Sequence, residues 1–369
     1  MKDEDFHFFR KLYEEYKAFG SDFLEKNYKY WIGSKRLSKK KLKEIFLNFR
    51  LETFFTFLGT LRALYYSKDI FEVIKRNNED VWFGVEILNF LLDKNLIKIK
   101  SGKVFFKEDF DHFFIKPMDE LEIVEKLRRS LRRKIKLEEP LLLNIDPNSK
   151  FKWKARYDQM PITTKSAISI LSKISHYFPV RVKFAFVGDD DFISIPFRII
   201  FNAPTFSIDK DRELLSEIER ISKKMQLNIF TLEADVRKTK MMKDFYGFYT
   251  NPPYNLHGSI KFLKFGSNLL SDEGGVAFLV LGYDAIGKRS IHLQKEMSNM
   301  GYSIKEVIPS LISYKFHLHH KEDVMVWKKM KDVGIDIKNR EALFAALYVL
   351  EYIGKTIDFK PSSDIYCYI

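Results

Sequence analysis

Apolar side chains near the start of the chain recur every three or four residues, which is the spacing of one buried helix face. The stripe is formed by Phe46, Phe49, Leu51, Phe54, Phe55, Leu58, Leu61, Leu64 and Tyr65. From Asp80 onward, a further helical stretch leads into a strand, a Ser101-Gly102 turn and a returning VFF strand. Helices followed by a short hairpin are typical of winged-helix domains. We therefore predict a mainly helical, winged-helix-like domain over residues 1–145.

The predicted hairpin carries three lysines near its tip, Lys98, Lys100 and Lys103. A wing with these side chains could contact the phosphates of a nucleic acid. Winged helices also serve as dimerisation or docking modules. The sequence leaves both alternatives open.

The pattern changes after residues 144–164, which contain DPNSK and Pro161 and form the best candidate boundary. Beyond this stretch, predicted helices alternate with strands in RVKFAFVG, TFSID, LNIFTLEAD, GFYT and VAFLVL. Such alternation predicts an α/β domain over residues 146–369, with a Rossmann-like, doubly wound and mostly parallel sheet. After Gly301, we predict further edge strands in YSIKEVIPSLI and DVMVWKK.

The chain is basic, since Lys and Arg total 63 and Asp and Glu total 50, a net charge of +13. This charge is spread evenly and Gln is scarce, which is typical of the ion-pair-rich surface of a heat-adapted protein. Nucleic-acid binding is the alternative explanation. The single cysteine, Cys367, excludes an intrachain disulfide framework. No apolar run reaches the roughly 20 residues of a membrane span, and the N-terminus is too acidic for a signal peptide, so we expect a cytoplasmic protein.

Polar residues follow four successive predicted strands, at the edge where an open α/β sheet binds its ligands. Their order is typical of S-adenosylmethionine-dependent transferases. A glycine such as Gly188 lets the backbone approach the cofactor, and a carboxylate such as Asp209 accepts both ribose hydroxyls. A polar residue such as Asp235 then binds the adenine amino group. A single carboxylate at a strand end is more often a helix N-cap, but four polar strand ends in this order are much less expected by chance.

The fourth strand is followed by Asn251, Pro252, Pro253 and Tyr254. Because the prolines hold this loop rigid, its carbonyl oxygens and the Asn251 amide can converge on one acceptor nitrogen. The Tyr254 ring would cover that nitrogen from one face. Amino-methyltransferases that act on adenine or cytosine use the same arrangement.

The first strand is followed by Gly188, Asp189, Asp190 and Asp191, where methyltransferases usually have a glycine-rich loop. Two like charges about 4 Å apart repel by ~4 kcal/mol at an effective dielectric of 20, so three aspartates disfavour a cofactor that carries a carboxylate. They favour a sulfonium donor that has lost its carboxylate, and an acceptor that is a polycation. Neighbouring acids also raise each other's pKa, which suits a general base for an ammonium. A helix-capping turn is the alternative, whereas a Mg²⁺ site fits poorly because adjacent side chains point in different directions.

These segments resemble N4-bis(aminopropyl)spermidine synthase, the branched-chain polyamine synthase of hyperthermophilic archaea and bacteria. The resemblance lies in YDQMPIT, FAFVGDDDFISIPFRIIF, TFSIDKDREL, TLEADVRK and TNPPYN. It implies transfer of the aminopropyl group of decarboxylated S-adenosylmethionine to a secondary amine of spermidine, with release of 5′-methylthioadenosine. Two rounds on one nitrogen give a quaternary product.

The resemblance also implies roles for the aspartates at the strand ends. Asp190 would deprotonate or hold the attacking amine, while Asp189 and Asp191 would supply the electrostatic field around it and orient it. Asp209 and Asp235 would hold the nucleoside. The implied substrate is a small polycationic amine, no metal is expected, and we expect a homodimer.

Upstream, Asp158 and Gln159 would line the pocket, with Asp158 as a second anchor for an ammonium. The chain departs from the family at two positions: Asn251 stands where Asp is common, and Met160 where a small residue is usual. We therefore expect this chain to differ from the family in its preferred acceptor or in the number of transfer rounds.

Two rival functions remain open at this point. One is an S-adenosylmethionine-dependent amino-methyltransferase acting on DNA or RNA; the other is a non-catalytic DNA-binding regulator that senses a polyamine or nucleoside. Residues 189–255 carry 10 basic against 11 acidic side chains, which opposes a phosphate backbone at the pocket. We therefore expect an aspartate-lined cleft for a polycation, with contact of nucleic acid through the N-terminal domain left open. His317, His319 and His320 alternate faces on a strand and are expected to be surface histidines.

Overall fold

The computed structural model describes residues 3–27, 53–77, 81–239, 243–282, 286–316, 321–338 and 340–354. None of the helices in these ranges has the length and apolar content that crossing a membrane demands. The described chain divides into two compact units between Lys116 and Pro117.

The first unit is helical and ends in a hairpin. Its helices are α1 (Asp3–Asn27), α2 (Phe54–Ser67), α3 (Ile70–Asn77) and α4 (Val81–Asp93). Thr53 caps α2, since its hydroxyl accepts a hydrogen bond from the Thr56 backbone N–H at 3.1 Å. Aromatic rings fill the core of this unit, among them the fully buried Phe9, Phe57, Phe90, Phe113 and Phe114.

Strands β1 (Ile97–Lys100) and β2 (Lys103–Phe106) form the predicted antiparallel hairpin. Both turn residues have positive φ, 51° at Ser101 and 71° at Gly102, which suits the tight two-residue turn between twisted strands. The three hairpin lysines named above are exposed. Whether this unit is a winged helix that contacts nucleic acid stays a prediction.

The second unit begins before the domain boundary predicted at 145/146. Helix α5 (Glu120–Leu131) is closed by a capping box, in which Asp119 and Glu122 each accept the other's backbone N–H. The Ser172 hydroxyl donates to the Met118 carbonyl at 2.9 Å, and the Ser169 hydroxyl donates to Glu120 at 2.6 Å. The start of α5 thus packs against the helix Thr164–Tyr177 of the same unit. The boundary at 145/146 stays a prediction.

The described part of this unit is built on a seven-stranded sheet with strand order β5-β4-β3-β6-β7-β9-β8. Its strands are β3 (Phe184–Val187), β4 (Thr205–Asp209), β5 (Ile229–Glu233), β6 (Gly247–Thr250), β7 (Gly275–Leu281), β8 (Tyr302–Lys315) and β9 (Glu341–Tyr352). Its other helices are α6 (Leu141–Ile145), α7 (Thr164–Tyr177), α8 (Ser194–Phe201), α9 (Arg212–Met225), α10 (Leu256–Ser267), α11 (Ser290–Asn299) and α12 (Lys321–Asp332).

Strands β3 to β7 are parallel, as predicted, and β4 and β6 lie on opposite sides of β3. The order of the strands therefore reverses at β3, which opens a crevice at its carboxyl end. Strands β3, β6 and β7 are buried along their whole length. The α/β, Rossmann-like fold preceded by a helical region is confirmed.

One predicted edge strand was wrong. DVMVWKK forms part of helix α12, because Val324, Trp327 and Met330 are partly buried at three-residue spacing while Met325 and Val326 are exposed. The antiparallel partner of β7 and β8 is instead β9, which the sequence analysis missed.

Candidate active site

A cavity of about 380 Å³ lies at the carboxyl ends of β3, β4, β5 and β6. Eighteen residues line it: Arg156, Tyr157, Asp158, Gln159, Gly188, Asp190, Ile208, Asp209, Lys210, Ala234, Asp235, Val236, Arg237, Asn251, Pro253, Gly258, Lys261 and Phe262. Seven of the eleven site residues expected from the sequence are among them. The other four, Asp189, Asp191, Pro252 and Tyr254, do not line the cavity.

Gly188 forms the floor at the end of β3. Its φ of +75° lies in the left-handed region that favours glycine. A Cβ atom here would come within 3.0 Å of the Phe262 ring, so a side chain would also press on the cavity wall. The glycine leaves this side of the backbone without a side chain, and its role in binding a cofactor stays a prediction.

Asp190 is the member of the aspartate triplet that lines the cavity, and it is only 8% exposed. Its Oδ2 accepts a hydrogen bond from the Met160 backbone N–H at 3.2 Å. Its own carbonyl accepts from the Trp153 indole at 2.9 Å. Burial raises the pKa of Asp190 well above its usual range, and the neighbouring carboxylates of Asp191 and Asp209 raise it further. A buried carboxyl with a raised pKa can accept a proton near neutral pH.

Asp191 points away from the cavity and holds other residues in place. Its Oδ1 accepts from the Ile162 backbone N–H, and its Oδ2 accepts from the Tyr249 hydroxyl and the Asn251 amide, all at 3.0 Å. Burial raises the pKa of Asp191, while these three donors oppose that rise. With three donors around it, Asp191 acts as a hydrogen-bond acceptor that anchors the loops on either side.

Asp189, the first residue of the triplet, is fully buried. Its Oδ1 accepts from the Ser194 backbone N–H at 3.3 Å, at the first residue of α8. Its Oδ2 has no hydrogen-bond partner among the residues that the structure describes. Burial raises the pKa of Asp189 to about 7. This position matches the helix-capping alternative more closely than a place in the pocket.

The far end of the cavity carries the two carboxylates expected to bind a nucleoside. Asp209 ends β4, accepts from the Asp211 backbone N–H at 2.7 Å, and has a pKa raised to about 6 by burial. Asp235 follows β5, and its carboxylate receives hydrogen bonds from the Arg237 guanidinium at 2.8 Å and 2.5 Å. The Arg237 guanidinium holds the pKa of Asp235 well below its usual range, so this carboxylate stays ionised.

The lining differs from the expected aspartate-lined cleft in its balance of charge. Four aspartates line the cavity, and so do four cations: Arg156, Lys210, Arg237 and Lys261. Two of these cations are paired with Asp235, Lys210 at 3.3 Å and Arg237 at 2.5 Å. Outside these pairs, the lining contains Asp158, Asp190 and Asp209 together with the cations Arg156 and Lys261.

A segment that we call the strap, residues 151–162, covers one side of the cavity. Lys154 ties it to the start of α9 through an ion pair of 2.7 Å with Asp211, and Gln159 donates to the same carboxylate at 3.2 Å. Burial acts to raise the pKa of Asp211, but the hydrogen bonds from Lys154 and Gln159 outweigh it and lower that pKa. Asp158 lies at the exposed turn of the strap, with φ of 58°, and lines the cavity.

The exit loop of β6 presents Asn251 and Pro253 to the cavity, while Pro252 is buried behind them. The Tyr254 ring lies against Gly282, where a Cβ would come within 2.4 Å of the ring. The Tyr254 hydroxyl reaches Asn251 Oδ1 at 3.2 Å, and it also contacts the hydroxyl of Tyr314 from β8.

Sequence reasoning missed both supporting and lining residues. The supporting residues are Trp153, Lys154, Tyr249 and Tyr314, and the missed lining residues include the four cations Arg156, Lys210, Arg237 and Lys261. Trp153 and Lys154 lie directly upstream of the YDQ segment, so their proximity to it was a usable signal. Tyr314 is more than sixty residues from Asn251 and meets it only because β8 returns past the exit loop. Nothing in the local pattern indicates that contact.

Among the residues that the structure describes, no group of three His, Cys, Asp or Glu side chains is placed to hold a metal ion. His317, His319, His320 and Cys367 lie outside the described residues.

Residues 148–358 match the family model of the branched-chain polyamine synthase A C-terminal domain. This match spans more than half of the chain. The chain belongs to the branched-chain polyamine synthase family. It is therefore an enzyme of a transferase family, and the resemblance found in the sequence is confirmed.

Other comparisons are more distant. An uncharacterized protein of Methanocaldococcus jannaschii is 34% identical over 134 residues, which are 35% of this chain and 34% of that protein. The chain thus matches about a third of the length of this curated relative.

Two solved structures are similar in fold. The branched-chain polyamine synthase of Thermus thermophilus, in complex with N4-aminopropylspermidine and 5′-methylthioadenosine, is 17% identical, with 87% of this chain and 95% of that chain covered and a TM-score of 0.49. An S-adenosylmethionine-dependent methyltransferase of Clostridium acetobutylicum is 12% identical, with coverage of 57% and 96% and a TM-score of 0.37.

Proposed function

We propose that this chain transfers the aminopropyl group of decarboxylated S-adenosylmethionine to a secondary amine of spermidine or a related polyamine. The observation that carries the proposal is the position of Asp190, a buried carboxyl in the wall of a strand-end cavity. Two further carboxylates, Asp209 and Asp235, line the same cavity after β4 and β5, at the strand ends where open α/β sheets bind ligands. Family membership supports the same chemistry.

The donor would bind at the end of the cavity formed by β4 and β5. Asp209 would accept the ribose hydroxyls, and the ionised Asp235 would accept the adenine amino group. Gly188 leaves room for the sulfonium at the end of β3. The carboxylate of intact S-adenosylmethionine would lie near Asp190, so the decarboxylated donor is the better fit.

The acceptor would bind between Asp190 and the β6 exit loop. Asp158 would anchor a distant ammonium of the polyamine, and Gln159 would line its path. Asn251 would accept a hydrogen bond from the one N–H that the attacking secondary nitrogen keeps after Asp190 takes its proton. Pro252 and Tyr254 would support this loop from behind, and Asp189 and Asp191 would act on the site through the backbone and side chains that they hold.

The reaction is an in-line displacement in which the enzyme positions the reactants and excludes water. Asp190 takes the proton of the secondary ammonium, so that the nitrogen regains its lone pair. A C–N bond forms while the C–S bond breaks, and its electron pair goes to sulfur, which leaves in neutral 5′-methylthioadenosine. The positive charge thereby moves from sulfur to nitrogen, near the Asp190 carboxyl.

The test offers the protein spermidine together with either donor, and follows the release of 5′-methylthioadenosine over time. We expect release with the decarboxylated donor that depends on spermidine, and no transfer from intact S-adenosylmethionine. An amino-methyltransferase is the alternative that Asn251 and the four cations of the lining favour. Methyl transfer from intact S-adenosylmethionine to a DNA or RNA oligonucleotide, without aminopropyl transfer, would establish that alternative instead.

A further inference from the structure

Tyr314 stands in β8 with its hydroxyl next to the exit loop of β6, and its side chain is 2% exposed. Asn251 Nδ2 donates to the Tyr314 hydroxyl at 3.0 Å. The Tyr314 and Tyr254 hydroxyls are in contact, and the Tyr254 hydroxyl donates to Asn251 Oδ1 at 3.2 Å. The Tyr314 hydroxyl also lies 3.2 Å from Asn251 Oδ1. These three side chains therefore form a closed ring of hydrogen bonds, in which one phenol hydrogen joins the two tyrosines and the other goes to the Asn251 oxygen.

Asp191 fixes which end of the Asn251 amide faces it. Its Oδ2 lies 3.0 Å from Asn251 Nδ2 and already accepts from the Tyr249 hydroxyl. A carboxylate accepts and does not donate, so the amide nitrogen of Asn251 must face Asp191. The Asn251 oxygen then lies 3.2 Å from both tyrosine hydroxyls. Because one of the two phenol hydrogens joins the tyrosines to each other, the other hydrogen goes to this oxygen and uses one of its two lone pairs. The second lone pair remains for an N–H group in the cavity that Asn251 lines.

We propose that Tyr314 is a positioning residue for the amine acceptor, which locks the Asn251 side chain with its amide oxygen presented to the attacking nitrogen. Without the Tyr314 hydroxyl, one amide hydrogen of Asn251 and the Tyr254 hydroxyl both lose a partner in a buried site. The amide nitrogen then keeps Asp191 alone of its two described acceptors, so the plane of the amide is held less firmly. The inference rests on the proposed aminopropyl transfer, since it names the residue that orients the acceptor for that reaction.

The strand β8 also supplies a matched control. Tyr302 is a buried tyrosine of the same strand, 6% exposed, and its hydroxyl is hydrogen-bonded to the Ser267 hydroxyl at 2.8 Å. It does not line the cavity. Tyr302→Phe therefore removes a buried phenol hydroxyl from β8 without touching the exit loop, whereas Tyr314→Phe removes the one that contacts Asn251.

The experiment measures steady-state kinetics with decarboxylated S-adenosylmethionine and spermidine for the wild type, Tyr314→Phe, Tyr302→Phe, Asn251→Ala and the Tyr314→Phe/Asn251→Ala double variant. Loss of a hydrogen bond of about 0.5–1.5 kcal/mol corresponds to about a three- to tenfold effect. We expect Tyr314→Phe to raise the KM for spermidine by this factor, with the KM for the donor unchanged. Tyr302→Phe should match the wild type in both constants.

The double variant separates positioning from a structural role. If Tyr314 acts through Asn251, its removal in the Asn251→Ala background has no further effect on the KM for spermidine. Calorimetric titration of spermidine into protein saturated with 5′-methylthioadenosine gives the same comparison at equilibrium. An unchanged KM for spermidine in Tyr314→Phe, or additive effects in the double variant, would overturn the role of Tyr314 while the transfer itself stands. A wild type that neither transfers nor binds spermidine would overturn the proposed function, and the role of Tyr314 with it.

Discussion

At the scale of single residues, three consecutive aspartates have three different positions. Asp189 lies in the core at the start of α8, Asp190 lines the cavity, and Asp191 anchors the exit loop. Through the family resemblance, the sequence analysis expected a distinct role for Asp190, which is the member that lines the cavity. It could not separate the other two, because the direction of each side chain depends on the turn after β3 and on partners far along the chain, such as Tyr249.

The first prediction concerns Asp190. Asp190→Asn keeps the hydrogen bond from the Met160 N–H but cannot take a proton, so we expect kcat for aminopropyl transfer to fall by about 10²–10⁴-fold. Because burial raises the pKa of Asp190, wild-type activity should rise with pH through a range above the usual pKa of an aspartate. Binding of 5′-methylthioadenosine should be retained, which shows that the cavity is intact. A variant with near wild-type kcat would place the base elsewhere.

The second prediction concerns Asp189 and stability. Burial raises the pKa of Asp189 to about 7 in the folded protein, whereas an aspartate in an unfolded chain has a pKa of about 3.9. The folded state therefore binds this proton more tightly, and the stability that the neutral carboxyl contributes is present at low pH and is lost as the pH rises through about 7. Asn is neutral at every pH and keeps an oxygen for the Ser194 N–H.

We accordingly expect Asp189→Asn to unfold at nearly the same denaturant concentration as the wild type at pH 4, and to be the more stable protein at pH 8. Each unit of pKa shift is worth about 1.4 kcal/mol. Asp272→Asn, at a side chain that is 77% exposed, is the control and should show no such trend. A stability difference between Asp189→Asn and the wild type that does not change with pH would contradict the buried neutral carboxyl.

At the scale of elements, the buried parallel strands were predictable and the edge was not. Strands β3 to β7 correspond to short apolar runs that are separated by amphipathic helices. In such an alternation, each short apolar run is interpreted as a buried parallel strand. The segments that form α12 and β9 both contain apolar residues, but the spacing of these residues does not distinguish a helix from a strand. The helical spacing of Val324, Trp327 and Met330 lies in their burial, since the apolar Met325 and Val326 between them are exposed.

The third prediction concerns the strap. The Lys154 and Asp211 side chains are 16% and 3% exposed, so loss of the lysine leaves a nearly buried carboxylate without its cation. Lys154→Met should release the strap, raise the KM for spermidine and lower the free energy of unfolding by more than the ~0.2–1 kcal/mol of an exposed pair. Lys183→Met breaks an exposed pair with Asp244 and is the matched control. Equal effects of the two substitutions in kinetics and denaturation would contradict the anchoring role of Lys154.

At the scale of the whole molecule, the net charge of +13 does not identify the ligand. The cavity has as many cations as aspartates in its lining, and its character depends on which of them are paired. Lys210 and Arg237 are engaged with Asp235, whereas Asp190 accepts only from a backbone N–H group among its described partners. Pairing of this kind depends on three-dimensional distances, so the sequence predicted the acidic residues but overstated the acidity of the cleft.

The measurement that tests the central claim most directly is the mass of the product formed from spermidine and decarboxylated S-adenosylmethionine. The account predicts a product heavier than spermidine by one aminopropyl group, or by two, with fragmentation that places the added group on the secondary nitrogen. Each addition should be matched by one molecule of 5′-methylthioadenosine. Spermidine recovered unchanged, or extended only at a primary amine to a linear product, would contradict it.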